Sequence, residues 1–382
     1  MAKDIIIKNA KVITMAEQNF ENAYIMIKNG KIEYIGTDEK KLEDGIEVFD
    51  ASGLTAVPGF VDAHSHIGIF GDGIGWAGMD GNECTDPVTP ELRAIDAINP
   101  FDRCFGEAIE GGVTTVVTGP GRANVIGGQF VAMKTFGKSV DEMAFKEPAA
   151  LKCALGENPK NVYGNSKRTP QTRMATAAIL RQAFIDAENY RNEMFSDKPP
   201  KRSLKNEILV KALNKEIPVK FHAHRADDIM TAIRIAKEFD LEYSLDHCTE
   251  GYLIPEQLKE SGARIIVGPL VCERSKVELA NLTIEAPSIL HENGVEFALM
   301  TDNPVISDRY LQLCAQLISN AGLPREEALK SITINAAKAA FIEEYVGSLE
   351  TGKDGDVLLF AGEPLDINSR LEAVFIEGNR VK

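Results

Sequence analysis

The chain has 382 residues, of which 44% are hydrophobic and 26% charged; that is enough for a large core without staples and unlike a disordered or coiled-coil chain. Its 57 acidic and 42 basic residues leave a formal charge of −15, which argues against nucleic acid or an anionic membrane as partner. Six cysteines lie scattered without any Cys-x-x-Cys pair, no apolar run approaches the roughly 20 residues of a membrane span, and the N-terminus lacks a signal-peptide core. The expectation is a soluble cytoplasmic protein with reduced thiols and a small-molecule substrate; a homo-oligomer is compatible with this.

In chain order, residues 4–57 predict short strands: "DIIIKNAKVIT" and "AYIMIKNGKIEYIG" are rich in Ile, Val and Tyr, with Asn29-Gly30 as a hairpin turn. A strand "GFVDA" then leads into His64-Ser65-His66. The region 68–100 is rich in Gly, Asp, Asn and Pro and holds the single tryptophan, Trp76; an excursion of that size suggests a functional loop, a lid with Trp76 as a stacking surface. After the strand "TTVVTG" comes "TGPGRANVIGGQ" (118–129), a glycine-rich stretch offering Arg122, Asn124 and Gln129 to a substrate. It lacks the Lys-Ser/Thr ending of a nucleotide-phosphate loop. Both stretches could equally be rigid structural loops.

Further strands are predicted in "AALKCALG", "IPVKFHAH", "EYSLDH", "ARIIVGP" and "VEFALMTD", with helices between them. Residues 173–195 form one helical candidate. In 227–239, Ile229, Ile233, Ala236 and Phe239 recur at helical spacing. The final segments "GDVLLFAG" and "LEAVFIEGNRVK" are again strand-like, with a turn at Gly378-Asn379. The expected fold class is α/β: a (β/α)8 TIM-type barrel over 58–349, carrying a small β-sandwich domain built from 1–57 plus 350–382.

Of six histidines, His64, His66, His222, His224 and His247 follow predicted strands at their C-terminal ends, and Asp302 does the same. Barrel enzymes place their chemistry at that end. His64 and His66 are two apart in an extended run, so both rings point to one side and can ligate one divalent ion. His291 fits the end of a helix instead. Asp302 suits an acid/base: a carboxylate beside a bound cation can take a proton from the attacking water and pass it on. Capping by Thr301 or Asp302 is the alternative. Arg225 is a candidate for gripping a substrate carboxylate, or for an ion pair with Asp227 or Asp228. Asp62 orients a ligand histidine or caps the turn.

The order of "AVPGFVDAHSH", "KFHAH", "LDHCTEG" and "LMTDNP", followed by "SITINAAKAAFIEEYVGSLETGKDGDVLLFAGEP", resembles the metal-dependent amidohydrolase superfamily, in its imidazolonepropionase-like and prolidase-like branch, over nearly the whole chain. The resemblance implies a distorted barrel with one or two divalent ions that activates water to hydrolyse an amide-like or cyclic C–N bond, or a dipeptide-like substrate. It makes His64, His66, His222 and His247 metal ligands and Asp302 the acid/base. His224 is left to contact substrate or ion. For the strand-four ligand, Glu157 is favoured over a carboxylated Lys152. Zn²⁺ is the expected ion, with Mn²⁺, Fe²⁺ and Co²⁺ as alternatives. A deaminase uses the same water activation, but His224 occupies the place where its glutamate would stand; a non-catalytic scaffold would have lost ligands that are present here.

Overall fold

The computed structural model describes residues 4–38 and 46–382; residues 1–3 and 39–45 of the expected terminal domain lie outside the described residues. The chain opens with strands β1 (Ile5–Val12), β2 (Phe20–Lys28), β3 (Lys31–Gly36), β4 (Glu47–Asp50) and β5 (Thr55–Pro58). Asn29 and Gly30 turn β2 into β3 with φ of 49° and 79°, the left-handed pair that a tight hairpin needs. Eight strands follow in the middle: β6 (Phe60–Ser65), β7 (Val113–Thr118), β8 (Ile126–Lys134), β9 (Ala144–Ala154), β10 (Val219–Ala223), β11 (Tyr243–His247), β12 (Arg264–Val267) and β13 (Phe297–Leu299). The chain ends with β14 (Val357–Ala361), β15 (Arg370–Ile376) and β16 (Asn379–Arg380).

Both termini share one hydrogen-bonded sheet in the order β16-β15-β14-β5-β1-β2-β3, with β4 on β1. The last turn lies at Glu377-Gly378, where φ is 47° and 75°, one residue earlier than the sequence suggested. Alternation along β14 joins this sheet to the barrel. Val357 and Leu359 face the sheet's own core of Ile5, Ile25 and Phe375. Leu358 and Phe360 face the other way, into the core shared with the barrel, and the Phe360 ring centroid lies 6.0 Å from that of Phe60. Buried Lys134 reinforces the junction, with its ammonium 2.8 Å from Asp354 and 2.7 Å from Asp356.

The middle strands run in sequence order from β6 to β13 and curl into a nearly closed barrel. The ends of β6 and β13 meet where the His66 N–H donates to the Asn303 carbonyl at 3.0 Å. Every neighbouring pair is parallel except those of β8, which runs antiparallel to both β7 and β9. The glycine-rich stretch therefore stops being a loop at Ile126. Outside the barrel, the helix Arg173–Glu193 starts where the Thr172 hydroxyl accepts the Ala175 N–H. The helix Ala226–Glu238 buries Ile229, Ile233 and Ala236 as their spacing requires. No helix among the described residues is long and apolar enough to cross a membrane.

Candidate metal centre

Strand alternation delivers most of the site. In β10, Val219, Phe221 and Ala223 join the core shared with the helices, so Lys220 and His222 point into the barrel, and His224 continues their side. In β11, Tyr243 and Leu245 face outward, leaving Ser244 and Asp246 inside. Strict alternation would then turn His247 outward. Its φ of 77° reverses it, and Asp302 just beyond β13 also has a positive φ of 55°. A left-handed backbone at a non-glycine residue costs about 1–3 kcal/mol, so the fold holds two strained residues where two functional side chains must converge.

The result is a cluster of five fully buried imidazoles and one buried carboxylate. His64 Nε2 lies 3.6 Å and His66 Nε2 3.2 Å from Asp302 Oδ1. Ring centroids of His222 and His224 each stand 4.3 Å from that of His247, which in turn is 5.6 Å from His64. Two groups, His64–His66–Asp302 and His222–His224–His247, each bring their donor atoms within 4.8 Å of one another. His222 Nδ1, His247 Nε2 and Asp302 Oδ1 are buried with no hydrogen-bond partner. Orphaned buried polar atoms are costly; three lone-pair atoms of imidazole and carboxylate left so in one cluster fit a divalent cation.

Outer partners fix which nitrogen of each ring faces inward. His66 Nδ1 is 2.6 Å from the Gly119 carbonyl and His247 Nδ1 is 2.9 Å from that of Gly268. Asp246 Oδ2 lies 2.9 Å from His64 Nδ1, and Asn158 Nδ2 lies 2.9 Å from His222 Nε2. Buried Glu278 receives Asn158 Nδ2 at 3.2 Å and Lys276 Nζ at 2.8 Å. His224 is held on both sides, by Thr249 Oγ1 at 2.8 Å and Lys276 Nζ at 3.3 Å. Burial, with Lys152 and Lys276 respectively adding to it, pushes His64 and His224 down to about 3; burial also holds His222 and His247 well below the ordinary value. Neutral imidazoles are the form that binds metal. Burial opposes ionisation of Asp302, but the His66 ring 3.2 Å away, with His64 and Arg122, prevails and holds its carboxyl below the usual range.

The strand-four position brings Lys152, not Glu157, to the cluster. Lys152 Nζ is 3.3 Å from His64 Nε2 and 3.5 Å from Asp246 Oδ2, and burial lowers it to about 8. Glu157 begins the helix Glu157–Asn165, where its carboxylate accepts the Glu278 N–H at 3.2 Å. Arg122 lines one cavity with His224 and Asp302. The other expected contacts are engaged elsewhere. Asn124 Nδ2 donates to the Glu83 and Asp86 carbonyls at 2.6 and 2.8 Å, Gln129 to the Pro90 carbonyl at 3.0 Å, and Arg225 pairs with Asp227 at 2.9 Å. These three bonds make the stretch around 82–93 a structured excursion laid against β8. Trp76 stands 92% exposed on the turn Gly75–Gly78. His291 closes the helix Ala286–Glu292. Asp62 accepts the His64 N–H at 3.0 Å through one oxygen and the Thr301 N–H and hydroxyl at 3.0 and 2.6 Å through the other, so it clasps β6 to the end of β13.

The sequence pattern of the amidohydrolase family matches residues 55–381. Among curated proteins, the chain is 28% identical to the amidohydrolase tasK of Hapsidospora irregularis, over 88% of this chain and 37% of that protein. It is 24% identical to an adenine deaminase of Listeria monocytogenes over 97% of this chain and 56% of that protein. The chain thus spans a little over a third and just over half of these two relatives. The crystal structure of an amidohydrolase from Thermotoga maritima MSB8 superimposes with a TM-score of 0.94 at 42% identity, covering 99% of both chains. A prolidase complexed with N-methylphosphonate-L-proline shares the fold at a TM-score of 0.63 and 16% identity, over 100% of both chains. By the family pattern and by the near-complete match to the Thermotoga maritima structure, the chain belongs to the amidohydrolase family.

Proposed function

We propose that this protein is a metal-dependent hydrolase that uses water to cleave an amide-like or cyclic C–N bond in a small or dipeptide-like substrate. The observation that carries this reading is the set of three unpartnered buried atoms, His222 Nδ1, His247 Nε2 and Asp302 Oδ1. His64, His66, His222 and His247 would hold the ion. Lys152, beside His64 Nε2, takes the strand-four place in preference to Glu157, and its carbamate would add oxygen donors. A bound divalent ion, Zn²⁺ before Mn²⁺, Fe²⁺ or Co²⁺, supplies Lewis acidity and makes water acidic enough to attack near neutrality. Asp302, ionised because His66 and Arg122 favour its charge, accepts the attacking water's proton at Oδ1 and returns it to the departing nitrogen. His224, neutral and held by Thr249 and Lys276, faces the substrate.

Metal analysis of purified protein and hydrolysis of an amide panel test this together. Stoichiometric divalent metal and hydrolysis that chelation abolishes are expected; repeated absence of both overturns it. Asp302→Asn should keep its metal while turnover drops about 10²- to 10⁴-fold. The similarity to an adenine deaminase supports a second reading, attack on a ring C–N bond with ammonia release, and an ammonia assay separates the two.

A further inference from the structure

Two protrusions hold large apolar side chains out in water, and they carry opposite charge. The first springs from Phe70, whose pairing with Met79 is closed by the Gly71 N–H donating to the Gly78 carbonyl at 2.7 Å. A Cβ on Gly78 would stand 3.0 Å from the Gly71 Cα, so the neck is pinched shut. That neck holds Ile74 and Trp76 outward, and Trp76 is 92% exposed. The second protrusion connects the helix Arg173–Glu193 to the helix Leu204–Leu213. There Phe195 is 90% exposed, with Met194 and Leu204 exposed beside it. Residues 71–86 contain four acids, Asp72, Asp80, Glu83 and Asp86, and no base. Residues 194–205 contain Lys198, Lys201, Arg202 and Lys205 against Asp197 alone. Several of these are engaged within the chain: Asp72 by Arg103, Arg202 by Glu207 and Asp86 by Lys205. Asp80 and Glu83 on one protrusion, and Lys198 and Lys201 on the other, are exposed and form no ion pair with any described residue.

We infer that this surface docks on a second copy of the chain about a two-fold axis, the Trp76 protrusion of each copy against the Phe195 loop of the other. A two-fold contact needs one patch that carries both halves of each match. This patch does, with acid and an aromatic ring at one end, base and an aromatic ring at the other. Lys205 joins the two ends into one strip, its ammonium 3.0 Å from Asp86 and 2.7 Å from the Val88 carbonyl. Opposite charges meet across the axis, Lys198 and Lys201 against Asp80 and Glu83, which fixes the register of the contact. Tryptophan and phenylalanine each bury about 150–250 Å². Four such rings, two from each copy, therefore supply about 600–1,000 Å², a large part of the roughly 1,200 Å² at the lower end of a specific interface. Ile74, Met79, Met194 and Leu204 add to it. The contact uses no residue of the metal centre, so it stands whether or not the chain is a hydrolase.

The test is sedimentation velocity of the full chain at micromolar concentration, with thermal unfolding run on each variant to confirm that it folds. The unmodified chain should sediment as a dimer. Trp76→Ala and Phe195→Ala should each raise the dissociation constant about 10- to 100-fold. Two charge reversals then read the pairing itself. Lys198→Glu with Lys201→Glu, and separately Asp80→Lys with Glu83→Lys, should each leave a monomer, because both contacts of the homodimer then set like charges together. An equimolar mixture of these two double variants should recover the dimer, because both contacts of the mixed pair match again; a merely structural role for these side chains gives no such recovery. An unmodified chain that stays monomeric, a dimer that survives Trp76→Ala and both reversals, or a mixture that stays monomeric overturns the inference.

Discussion

Asp246 is the residue on which most of the barrel interior depends. It faces His64 Nδ1 at 2.9 Å, Lys220 Nζ at 3.2 Å, Lys152 Nζ at 3.5 Å and the Ser244 hydroxyl at 2.8 Å. Burial would neutralise it, but the two lysines and His64 hold its carboxyl well below the usual range. Asp246→Asn leaves the buried Lys220 ammonium without its counter-charge and His64 without its carboxylate partner. The expected cost is about 3–5 kcal/mol of stability and a 10- to 100-fold loss of metal affinity, read by thermal unfolding and by metal titration; unchanged metal affinity would remove Asp246 from the support of His64. Asn124→Ala tests the opposite kind of residue. It strips a donor from the Glu83 and Asp86 carbonyls, so about 1–3 kcal/mol of stability should go while KM stays put. At this scale the sequence was half legible. The histidines and Asp302 stand at strand ends, a position visible in one dimension. Lys220 could have been found two residues before His222 by alternation; Asp246 could not, because alternation sets it opposite His247 and only the φ of 77° at His247 brings both inward. Asn158 lies at the start of the helix Glu157–Asn165 and Glu278 in the short helical turn Val277–Leu279, and their meeting is a product of the barrel.

Among the elements, the loop between β9 and the helix Glu157–Asn165 shows why a glycine is required. Gly156 has φ of 83°, and a Cβ there would come within 2.8 Å of Glu278 Oε2. Gly156→Ala therefore strains the backbone and pushes on the carboxylate that holds Asn158 and Lys276. Activity should fall with this variant more than stability does, and kinetics beside thermal unfolding check the ratio. Phe360→Ala probes the other junction. Phe360 is fully buried between the terminal sheet and the barrel, so truncation should cost about 3–5 kcal/mol with the metal centre intact. Strand positions were legible because runs such as "IPVKF" and "EYSLD" combine β-branched and aromatic residues between turns. The direction of β8 was not. Its glycines read as a loop, and only pairing with β7 and β9 reverses it.

The molecule as a whole keeps at least four imidazoles uncharged in its interior, and acid must act on that. His64 and His224 titrate near 3 in the folded state, and His222 and His247 lie well below the ordinary value, whereas an unfolded chain takes up these protons near 6.5. Above about 6.5 neither state binds them, and the full stability is present. As pH falls below that, the unfolded state gains protons that the folded state refuses, so each histidine withdraws up to about 1.4 kcal/mol per pH unit until its folded value is reached. Among the carboxyls that burial raises, two fully buried ones oppose this most directly. Burial raises Asp62 to about 6 and, with Asp62 beside it, lifts Asp308 well above the ordinary carboxylate, so the folded state itself takes up protons there between about 6 and the unfolded value near 3.9. Four histidines outweigh two carboxyls, and a bound ion that protons displace widens the gap. The unfolding midpoint should therefore drop steadily from pH 7 to pH 4.5, and His224→Gln, which deletes one of the four protons from the unfolded side, should flatten that descent. Calorimetry of both proteins across this range decides it: a midpoint that stays level or rises on acidification would mean that the imidazoles are not held neutral, and the case for a metal centre assembled from them would lose its electrostatic basis.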